Sequence, residues 1–389
     1  MSSVHTLSDV FAQYDALLNR YRGFWQLEAF SQAEWPWPQS SEEINALIEP
    51  ELNKLTNPVK IASAKLECES PFWLTNGIQG RKLAQINGFI AEFSKHASCH
   101  TAENTPYQVI EWCAGKGHLG RILSVHQQVP VLSVEWQASL CEQGQALAFQ
   151  HAVAQEFLHA NVMHLPQNWL PNNSAIVALH ACGDLHRQLL IQASSQGKRE
   201  LFVAPCCYHL QQAEYYQPFS QQAEFSELHL SRTQLKLAVQ EQVTGGKRVA
   251  KLRDIEQLWR LVFELYRAQI TGIAAYRSLP SVPKHWFSGE LSAFIRWACE
   301  QQALPVPADV AINALLPEAH ERLALIRSID SVRQLFRRPL ELWLLLDRAL
   351  FLQEHNYAVH LQQFCAHHES PRNTLIIAKR NAKAAYSET

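Results

Sequence analysis

Two cysteine- and histidine-rich segments carry the densest chemistry in the sequence. The first is HACGD, from His180 to Asp184, and the second is PCCYH, from Pro205 to His209. Each follows an apolar run that is typical of a buried parallel strand. Because the carboxyl ends of parallel strands lie at one edge of a sheet, we expect the two segments to enclose a single site.

Three kinds of chemistry fit these segments. The favoured one is group transfer, in which a side chain removes a proton while the backbone near Pro205 orients an acceptor. A tyrosine could also stack on a planar acceptor. The candidate catalytic residues are His180, Asp184, Cys207, Tyr208 and His209.

The other two kinds of chemistry assign the cysteines differently. A metal site is disfavoured because Cys206 and Cys207 would point in opposite directions in extended backbone, and the two segments contain no CxxC or HxxxH pair. We therefore assign no metal ligands. In the third interpretation, Cys182 and Cys206 pack as small hydrophobes behind a tight loop.

A third segment, EWCAGKGHLGR, runs from Glu111 to Arg121 directly after an apolar pair. Its small residues allow a ligand to approach the backbone closely. Twenty residues beyond Gly115, Glu135 ends the next apolar run, where a carboxylate can accept both hydroxyls of a ribose. Turn and carboxylate together predict an adenosine-containing ligand.

The acidic start of this turn bears on the choice of ligand. A P-loop is excluded because Lys116 is followed by glycine and His118 instead of Ser or Thr. The glycines do form a literal GxGxxG, but Glu111 would repel a pyrophosphate, whereas it could hold an ammonium group. S-adenosylmethionine is favoured, with a dinucleotide and a ligand-free fold as the alternatives.

Hydrophobic periodicity predicts the elements that position these residues. Residues Ser8 to Ala97 are mainly helical, and short apolar runs then alternate with helices. After Leu210 the pattern is helical again until a final hairpin. The predicted strands are Gln108–Trp112, Val131–Glu135, Glu156–His159, Ala175–His180, Leu201–Pro205, Tyr357–Cys365 and Thr374–Arg380.

The three segments, together with SPRN from Ser370 to Asn373, resemble a group of class I S-adenosylmethionine-dependent methyltransferases. This group includes methyltransferase-like proteins with an rRNA adenine dimethylase-like domain and the methyltransferase half of glutathione S-transferase C-terminal-domain-containing protein. More distantly, the cysteine segments are similar to the tRNA acceptor-stem 2'-O-methyltransferase. In this chain Cys113 replaces the usual first glycine of the turn. Asn161 stands where many relatives have an aspartate near the adenine amine.

The resemblance implies a Rossmann-like α/β fold with a mostly parallel seven-stranded sheet, a helical N-terminal lead-in and a helical insertion before the C-terminal hairpin. The implied domains are a helical region at 1–100, a methyltransferase core at 101–210 and 357–389, and an insertion at 211–356. The candidate residues for binding S-adenosylmethionine are Glu111, Cys113, Ala114, Gly115, Lys116, Gly117, His118, Glu135, Trp136, Asn161, Val162 and His180.

Charge and composition restrict the partners. The formal net charge is −2 and the sequence pI about 6.8, so the whole chain does not attract polyanions. Residues 231–284 hold ten Lys or Arg against four Asp or Glu, including GGKRVAKLR. This segment and the similarity to a tRNA enzyme favour RNA over protein as the acceptor, although a solvated basic helix face is the more common reason for such a segment. A non-catalytic scaffold that binds RNA or a ribosomal partner is the alternative function.

The nine irregularly spaced cysteines are expected to be reduced thiols, and a redox or metal protein is a third, less favoured function. We expect no secretory signal and no membrane segment, and hence a cytoplasmic location.

Overall fold

A sheet of eight strands organises the part of the chain that the computed structural model describes, namely residues 5–61, 70–98, 107–166, 168–171, 173–240, 247–273 and 275–381. The spatial order of the strands is β1-β7-β8-β6-β5-β2-β3-β4. The strands are β1 Val59–Lys60, β2 Gln108–Trp112, β3 Val131–Glu135, β4 Gln155–His159, β5 Ser174–Cys182, β6 Glu200–Cys206, β7 Tyr357–Gln363 and β8 Thr374–Arg380.

The strand directions confirm the predicted Rossmann-like α/β class. Only β8 runs antiparallel to its neighbours β6 and β7. The chain proceeds outward from β2 through β3 to β4, then returns to pair β5 with the other side of β2. This reversal places a crevice at the carboxyl ends of β2 and β5, where ligands bind in such sheets. The sheet has one strand more than predicted, because β1 is only two residues long and leaves no periodicity in the sequence.

Fifteen α-helices accompany the sheet in the described residues, and the chain divides into two compact units. The first unit contains all eight strands and comprises 1–20, 54–243 and 337–389; the second comprises 21–53 and 244–336. No helix in the described ranges has both the length and the apolar character needed to cross a bilayer. The helices are α1 Leu7–Arg20, α2 Arg22–Trp25, α3 Ser41–Asn53, α4 Phe72–Thr75, α5 Gly80–His96, α6 His118–Gln127, α7 Ala138–Gln150, α8 Asp184–Ser195, α9 Gln221–Glu224, α10 Arg232–Leu235, α11 Lys247–Thr271, α12 Leu291–Gln302, α13 Asp309–Ala314, α14 Leu316–Gln334 and α15 Arg337–Glu354.

Each unit has its own apolar core. In the first, side chains of α5 and α6 pack on one face of the sheet, with Phe93 against Phe202 at a ring-centroid distance of 4.7 Å. In the second, α11, α12 and α14 enclose an aromatic cluster in which Phe294 contacts Trp259. The strand side chains of the first unit are therefore buried in its core, and we expect a site at the ends of the strands.

The carboxylate of Glu111 connects β2, β3 and the first turn of α6. It accepts a 2.6 Å hydrogen bond from Ser133 Oγ on β3 and another from the backbone N–H of Gly120 in α6. A Cβ at Gly120 would lie 2.4 Å from Glu111 Oε2, so this approach needs glycine. Burial raises the pKa of Glu111 to about 7, because a low dielectric disfavours the charged form.

The carboxylate of Asp347, in the middle of α15, organises the chain after β6. Asp347 is fully buried and accepts bonds from Tyr216 Oη at 2.6 Å and from Ser220 N and Oγ at 2.7 Å each. The backbone N–H of Phe219 also donates to it, at 3.0 Å. These bonds fix residues 216–220, which follow the second cysteine segment, against α15.

We expect Asp347→Ala to destabilise the protein by about 3–5 kcal/mol, because several buried donors lose their common acceptor. Urea unfolding followed by circular dichroism measures the change. Glu142→Ala on the exposed face of α7 is the control and should shift the free energy of unfolding by less than about 0.5 kcal/mol. Equal losses in both variants would contradict the buried role of Asp347.

The raised pKa of Glu111 predicts a pH dependence of stability. Since the folded-state pKa of about 7 exceeds the ordinary 4.5, the contribution is complete below pH 4.5 and is lost as the pH rises through 7. Over that window the wild type should lose roughly 3 kcal/mol of stability that Glu111→Gln retains. Unfolding curves at pH 5 and pH 8 test this. Glu156→Gln, an exposed change on β4, should leave the wild-type pH dependence intact.

Candidate active site

The turn between β2 and α6 uses left-handed backbone at three positions. Cys113, Gly115 and Gly117 have φ of +56°, +60° and +65°. A Cβ at Gly117 would lie 2.4 Å from the side chains of Gln155 and Phe157, whereas nothing lies within 4 Å of a Cβ at Gly115. The open space therefore begins at Gly115. Cys113 occupies a conformation that favours glycine, which explains why glycine is usual there in the methyltransferases that the chain resembles.

Glu135 binds the turn directly. Its carboxylate accepts hydrogen bonds from Gly115 N at 2.9 Å and Gln137 N at 3.0 Å. The turn and the second-strand carboxylate, which stand twenty residues apart in sequence, are thus brought to one place. Beside them the ring of Trp136 is 65% exposed and offers an aromatic face to a planar ligand.

The other predicted cofactor residues of the turn have different environments. Ala114 N donates to Val134 O across the β2–β3 boundary, at 3.0 Å. Lys116 is exposed, and its carbonyl accepts a bond from Arg121. His118 Nδ1 lies 2.7 Å from Arg121 Nη2, and burial, with the positive charge of Arg121, lowers the pKa of His118 to about 4. The histidine is therefore a neutral acceptor that holds Arg121 across the start of α6.

Two of the predicted cofactor-binding residues, Asn161 and Val162, follow β4. Asn161 is exposed, and its Oδ1 accepts a 3.0 Å bond from Met163 N, which caps a short 3-10 helix at Val162–His164. Val162 is buried. The Asn161 side chain is thus committed to the local turn, with one lone pair of Oδ1 and its amide left for a ligand.

The predicted role of Glu111 as the ammonium acceptor needs correction. Only 4% of the residue is exposed, and its carboxylate is already bonded to Ser133 and Gly120. It therefore positions the turn from behind, because its oxygens face β3 and α6. Glu135 is also buried, at 5% exposure, but its two oxygens accept from Gly115 N and Gln137 N, so this carboxylate lies at the turn itself.

The two cysteine segments meet as expected, but the arrangement of their sulfurs was not expected. The thiol sulfurs of Cys182, Cys206 and Cys207 all lie within 4.8 Å of one another, and Cys182 Sγ is 3.4 Å from Cys206 Sγ. The side chains of adjacent cysteines point apart only where the backbone is extended. Cys207 instead has φ of +49°, which turns its side chain back toward its neighbour. The β5–β6 register also shifts between Leu179 and Cys182.

The charge state of this thiol cluster is unusual. Hydrogen bonds from the thiols of Cys182 and Cys206 lower the pKa of Cys207 well below its usual range, and the guanidinium of Arg372 acts in the same direction. The pKa of Cys206 is raised, because its hydrogen bonds to Cys182 and Cys207 favour the neutral form. The pKa values of two thiols in one cluster are therefore shifted in opposite directions, downward for Cys207 and upward for Cys206.

The predicted proton acceptors are weak or occupied. Burial lowers the pKa of His180 to about 4, and its Nε2 donates to Gln85 Oε1 at 2.6 Å. Asp184 Oδ2 accepts from Gln212 N at 2.7 Å. Burial also lowers the pKa of His209, whose Nδ1 is buried without a hydrogen-bond partner. These side chains suit positioning better than proton removal.

Tyr208 lies in the interior, since it is 2% exposed. Its ring packs edge-on against His186 and under the guanidinium of Arg348, which is 4.8 Å from the ring centroid. The predicted stacking on an acceptor therefore finds no accessible ring. Burial also keeps its hydroxyl protonated by raising its pKa.

Arg348 in α15 joins the two cysteine segments from behind. Its Nε donates to His186 Nε2 at 2.9 Å, and the opposite ring nitrogen of His186 lies 3.0 Å from Ala181 O, next to Cys182. At the same time it stacks on Tyr208, next to Cys207. Gly183 completes the junction, because a Cβ there would lie 1.7 Å from Leu210 O.

Sequence reasoning missed three residues at this site. Gln85 in α5 links His180 to the carbonyl of Glu369, and Arg372 lies within electrostatic range of Cys182 and Cys207. The SPRN motif includes Arg372 and belongs to the resemblance, but it did not predict that Arg372 lies near the cysteines. Gln85 lies on the amphipathic helix α5, whereas Arg348 lies on α15, in which residues 339–350 are all buried; neither position belongs to a recognisable motif.

Comparison with known proteins agrees with this geometry. Residues 81–214, about a third of the chain, match a family model described as a methyltransferase domain. This range contains the turn, Glu135 and both cysteine segments. A search of curated proteins gave no significant match.

Several methyltransferases of known structure align with the chain at low similarity. A putative sarcosine dimethylglycine methyltransferase from Galdieria sulphuraria is 10% identical over 82% of this chain and 90% of its own, with a TM-score of 0.28. Coclaurine N-methyltransferase, bound to N-methylheliamine and S-adenosylhomocysteine, is 14% identical over 51% and 58%, with a TM-score of 0.25. Geranyl diphosphate methyltransferase, in complex with S-adenosylmethionine, is 12% identical over 36% of this chain and 60% of its own length, at 0.25.

At these scores the structural alignments carry no argument about the reaction. Residues 81–214 are similar to a methyltransferase domain, in agreement with the cofactor expected from the sequence, S-adenosylmethionine.

Proposed function

We propose that the protein is an S-adenosylmethionine-dependent methyltransferase whose acceptor is RNA. The observation that carries the cofactor assignment is the hydrogen bond from Gly115 N to Glu135, which joins the open turn to the second-strand carboxylate. It supports one pocket in which the cofactor lies against the backbone of the turn while Glu135 accepts the ribose hydroxyls.

The surroundings of this pocket support a nucleoside. Trp136 offers an exposed ring on one side of Glu135, and the Asn161 amide follows β4 on the other. S-adenosylmethionine, when bound, supplies an electrophilic methyl group on a sulfonium. The protein's task is then to hold an acceptor in line with the departing sulfur.

The acceptor would lie between the cofactor turn and the two cysteine segments. Cys113 of the turn and Cys182 are close enough to interact electrostatically, which places these parts side by side. Since His180 is a weak base and one oxygen of Asp184 accepts from Gln212 N, the geometry supports catalysis by positioning more than by proton removal.

A polar cavity at the same edge of the sheet supports RNA as the acceptor. Its volume is about 200 Å³, and Arg337, Arg338 and His367 are among its lining residues. Because β8 runs antiparallel to β6, the start of β8 lies beside the carboxyl end of β6, where PCCYH begins. Arg338 donates to Glu341 at 2.7 Å and Arg337 lies 3.8 Å from the same carboxylate, so two guanidinium groups share one acid and leave a positive charge that suits a phosphate next to the reacting nucleotide.

The basic segment at 231–284 gives weaker support than the sequence suggested. Arg267 pairs with Glu264, and Arg260 pairs with Glu256 at 3.0 Å, so two of its cations are neutralised locally. Residues 245–246 and the side chains of 247–250, part of GGKRVAKLR, lie outside the described structure. The subgroup with rRNA adenine dimethylase-like proteins and the cytoplasmic location stay predictions.

Glu135→Gln should weaken S-adenosylmethionine binding by roughly tenfold or more, because a charge-assisted acceptor for the ribose is replaced by a neutral amide. Isothermal titration calorimetry measures the dissociation constant. Glu156→Gln makes the same chemical change on the exposed side of β4 and should bind as the wild type does. Equal affinity in both variants would remove Glu135 from the cofactor site.

Transfer of labelled methyl groups to total RNA, compared with lysate protein, tests the acceptor. We expect methyl groups to be incorporated into RNA, and less so in Arg337→Gln. In that variant the slope of log binding constant against log salt concentration should also become shallower by about one, because one phosphate contact is lost. Arg327→Gln, on the exposed face of α14, is the control. Tight RNA binding without incorporation would favour the scaffold alternative, and incorporation into protein alone would exclude the RNA assignment.

A further inference from the structure

The cysteine segments form a cluster whose geometry the methyltransferase assignment does not explain. Three thiol sulfurs from two strand ends converge within 4.8 Å, while most free cysteines elsewhere in the described chain are simply buried. We propose that Cys182, Cys206 and Cys207 bind a Zn²⁺ ion through their three sulfurs, leaving its fourth coordination position for an exogenous ligand.

The spacing of the sulfurs fits this ion. A tetrahedral Zn²⁺ with bonds of about 2.3 Å holds its sulfur ligands roughly 3.8 Å apart. The Cys182 and Cys206 sulfurs are 3.4 Å apart, and the third lies within 4.8 Å of both. The triangle is complete when the first pair separates by about 0.4 Å and Cys207 Sγ moves inward by at most about 1 Å. The same distances are too long for a disulfide, whose sulfurs are about 2.05 Å apart.

The backbone is shaped to bring these sulfurs together. Cys182 and Cys206 are direct partners in the parallel β5–β6 pair, reached by the register shift after Leu179. Cys207 and His180 are both held in the left-handed region, at φ of +49° and +66°. Such conformations cost on the order of 1–3 kcal/mol for residues with a side chain, and persist where the surrounding contacts demand them.

The charge around the cluster suits three thiolates and a divalent cation. Three thiolates and Zn²⁺ carry a net charge of −1, and the guanidinium of Arg372 lies within electrostatic range of Cys182 and Cys207. Behind the sulfurs, Arg348 fixes both segments through His186 and Tyr208, so the triangle is rigid. On binding, the thiol protons leave to solvent as zinc–sulfur bonds form.

Three protein ligands also define the class of site. Structural zinc sites are closed by four protein ligands, whereas sites with three keep a position for water or a substrate atom. The cluster is next to the cofactor turn, because Cys113 interacts electrostatically with Cys182. The fourth position therefore suits a thiol, imidazole or water of an incoming molecule. Zinc binding itself does not depend on the proposed methyl transfer.

The test uses the full chain, reduced, stripped of metal and reloaded with zinc. We expect about one zinc per chain after dialysis, by elemental analysis, and a roughly tenfold or greater loss of retained zinc in Cys182→Ser, Cys206→Ser and Cys207→Ser. Cys141→Ser and Cys299→Ser are controls, because these buried thiols lie outside the cluster. Circular dichroism checks the folding of each variant.

Two measurements on the wild type keep the proposal testable if the variants fail to fold. Cobalt substitution should give thiolate-to-metal charge transfer and tetrahedral ligand-field bands. Zinc should also protect the three cluster cysteines from alkylation, read by peptide mass spectrometry, while Cys113 reacts equally with and without zinc. Absence of zinc uptake, uptake unaffected by all three substitutions, or a Cys182–Cys206 disulfide under reducing conditions would overturn the assignment.

Discussion

The buried guanidinium of Arg348 is the interaction on which the site depends. A cation in the interior is stable only when its desolvation is offset by partners, and here these come from three parts of the chain. His186 follows the first cysteine segment, Tyr208 belongs to the second, and Tyr216 Oη accepts from Arg348 at 3.0 Å while donating to Asp347. One residue of α15 therefore contacts the segments that follow both β5 and β6, through His186 and Tyr208.

The cofactor turn is held by a corresponding set of contacts on the other side of the crevice. Glu111 supports it from behind, and Glu135 binds Gly115 N from the front. Backbone amides that would otherwise point at solvent are therefore oriented before any ligand arrives. Such preorganisation lowers the cost of binding, because the loop is already ordered. The open face of the turn, at Gly115, is the part that stays available.

Between Arg348 and the cofactor turn, the candidate site contains histidines that are weak bases and a cluster of three thiols. His180 and His209 have lowered pKa values because burial disfavours their cationic forms. In the thiol cluster, hydrogen bonds from Cys182 and Cys206 lower the pKa of Cys207, and Arg372 acts in the same direction. The same strand ends can serve an acceptor and hold a thiophilic ion, since both uses need rigid loops at the carboxyl edge of the sheet.

The sequence by itself determined the class of fold, most strand bounds and the pairing of the turn with Glu135, because alternating apolar runs and glycine spacing are local signals. β2, β3 and β8 lie where periodicity predicted them, and β5 and β6 differ only at their ends. Those ends decide the chemistry. Whether Cys206 and Cys207 diverge or converge depends on one left-handed φ angle, and whether Glu111 faces a ligand or Ser133 depends on a neighbouring strand. Only the tertiary structure could settle these, because each is fixed by contacts between residues distant in the chain.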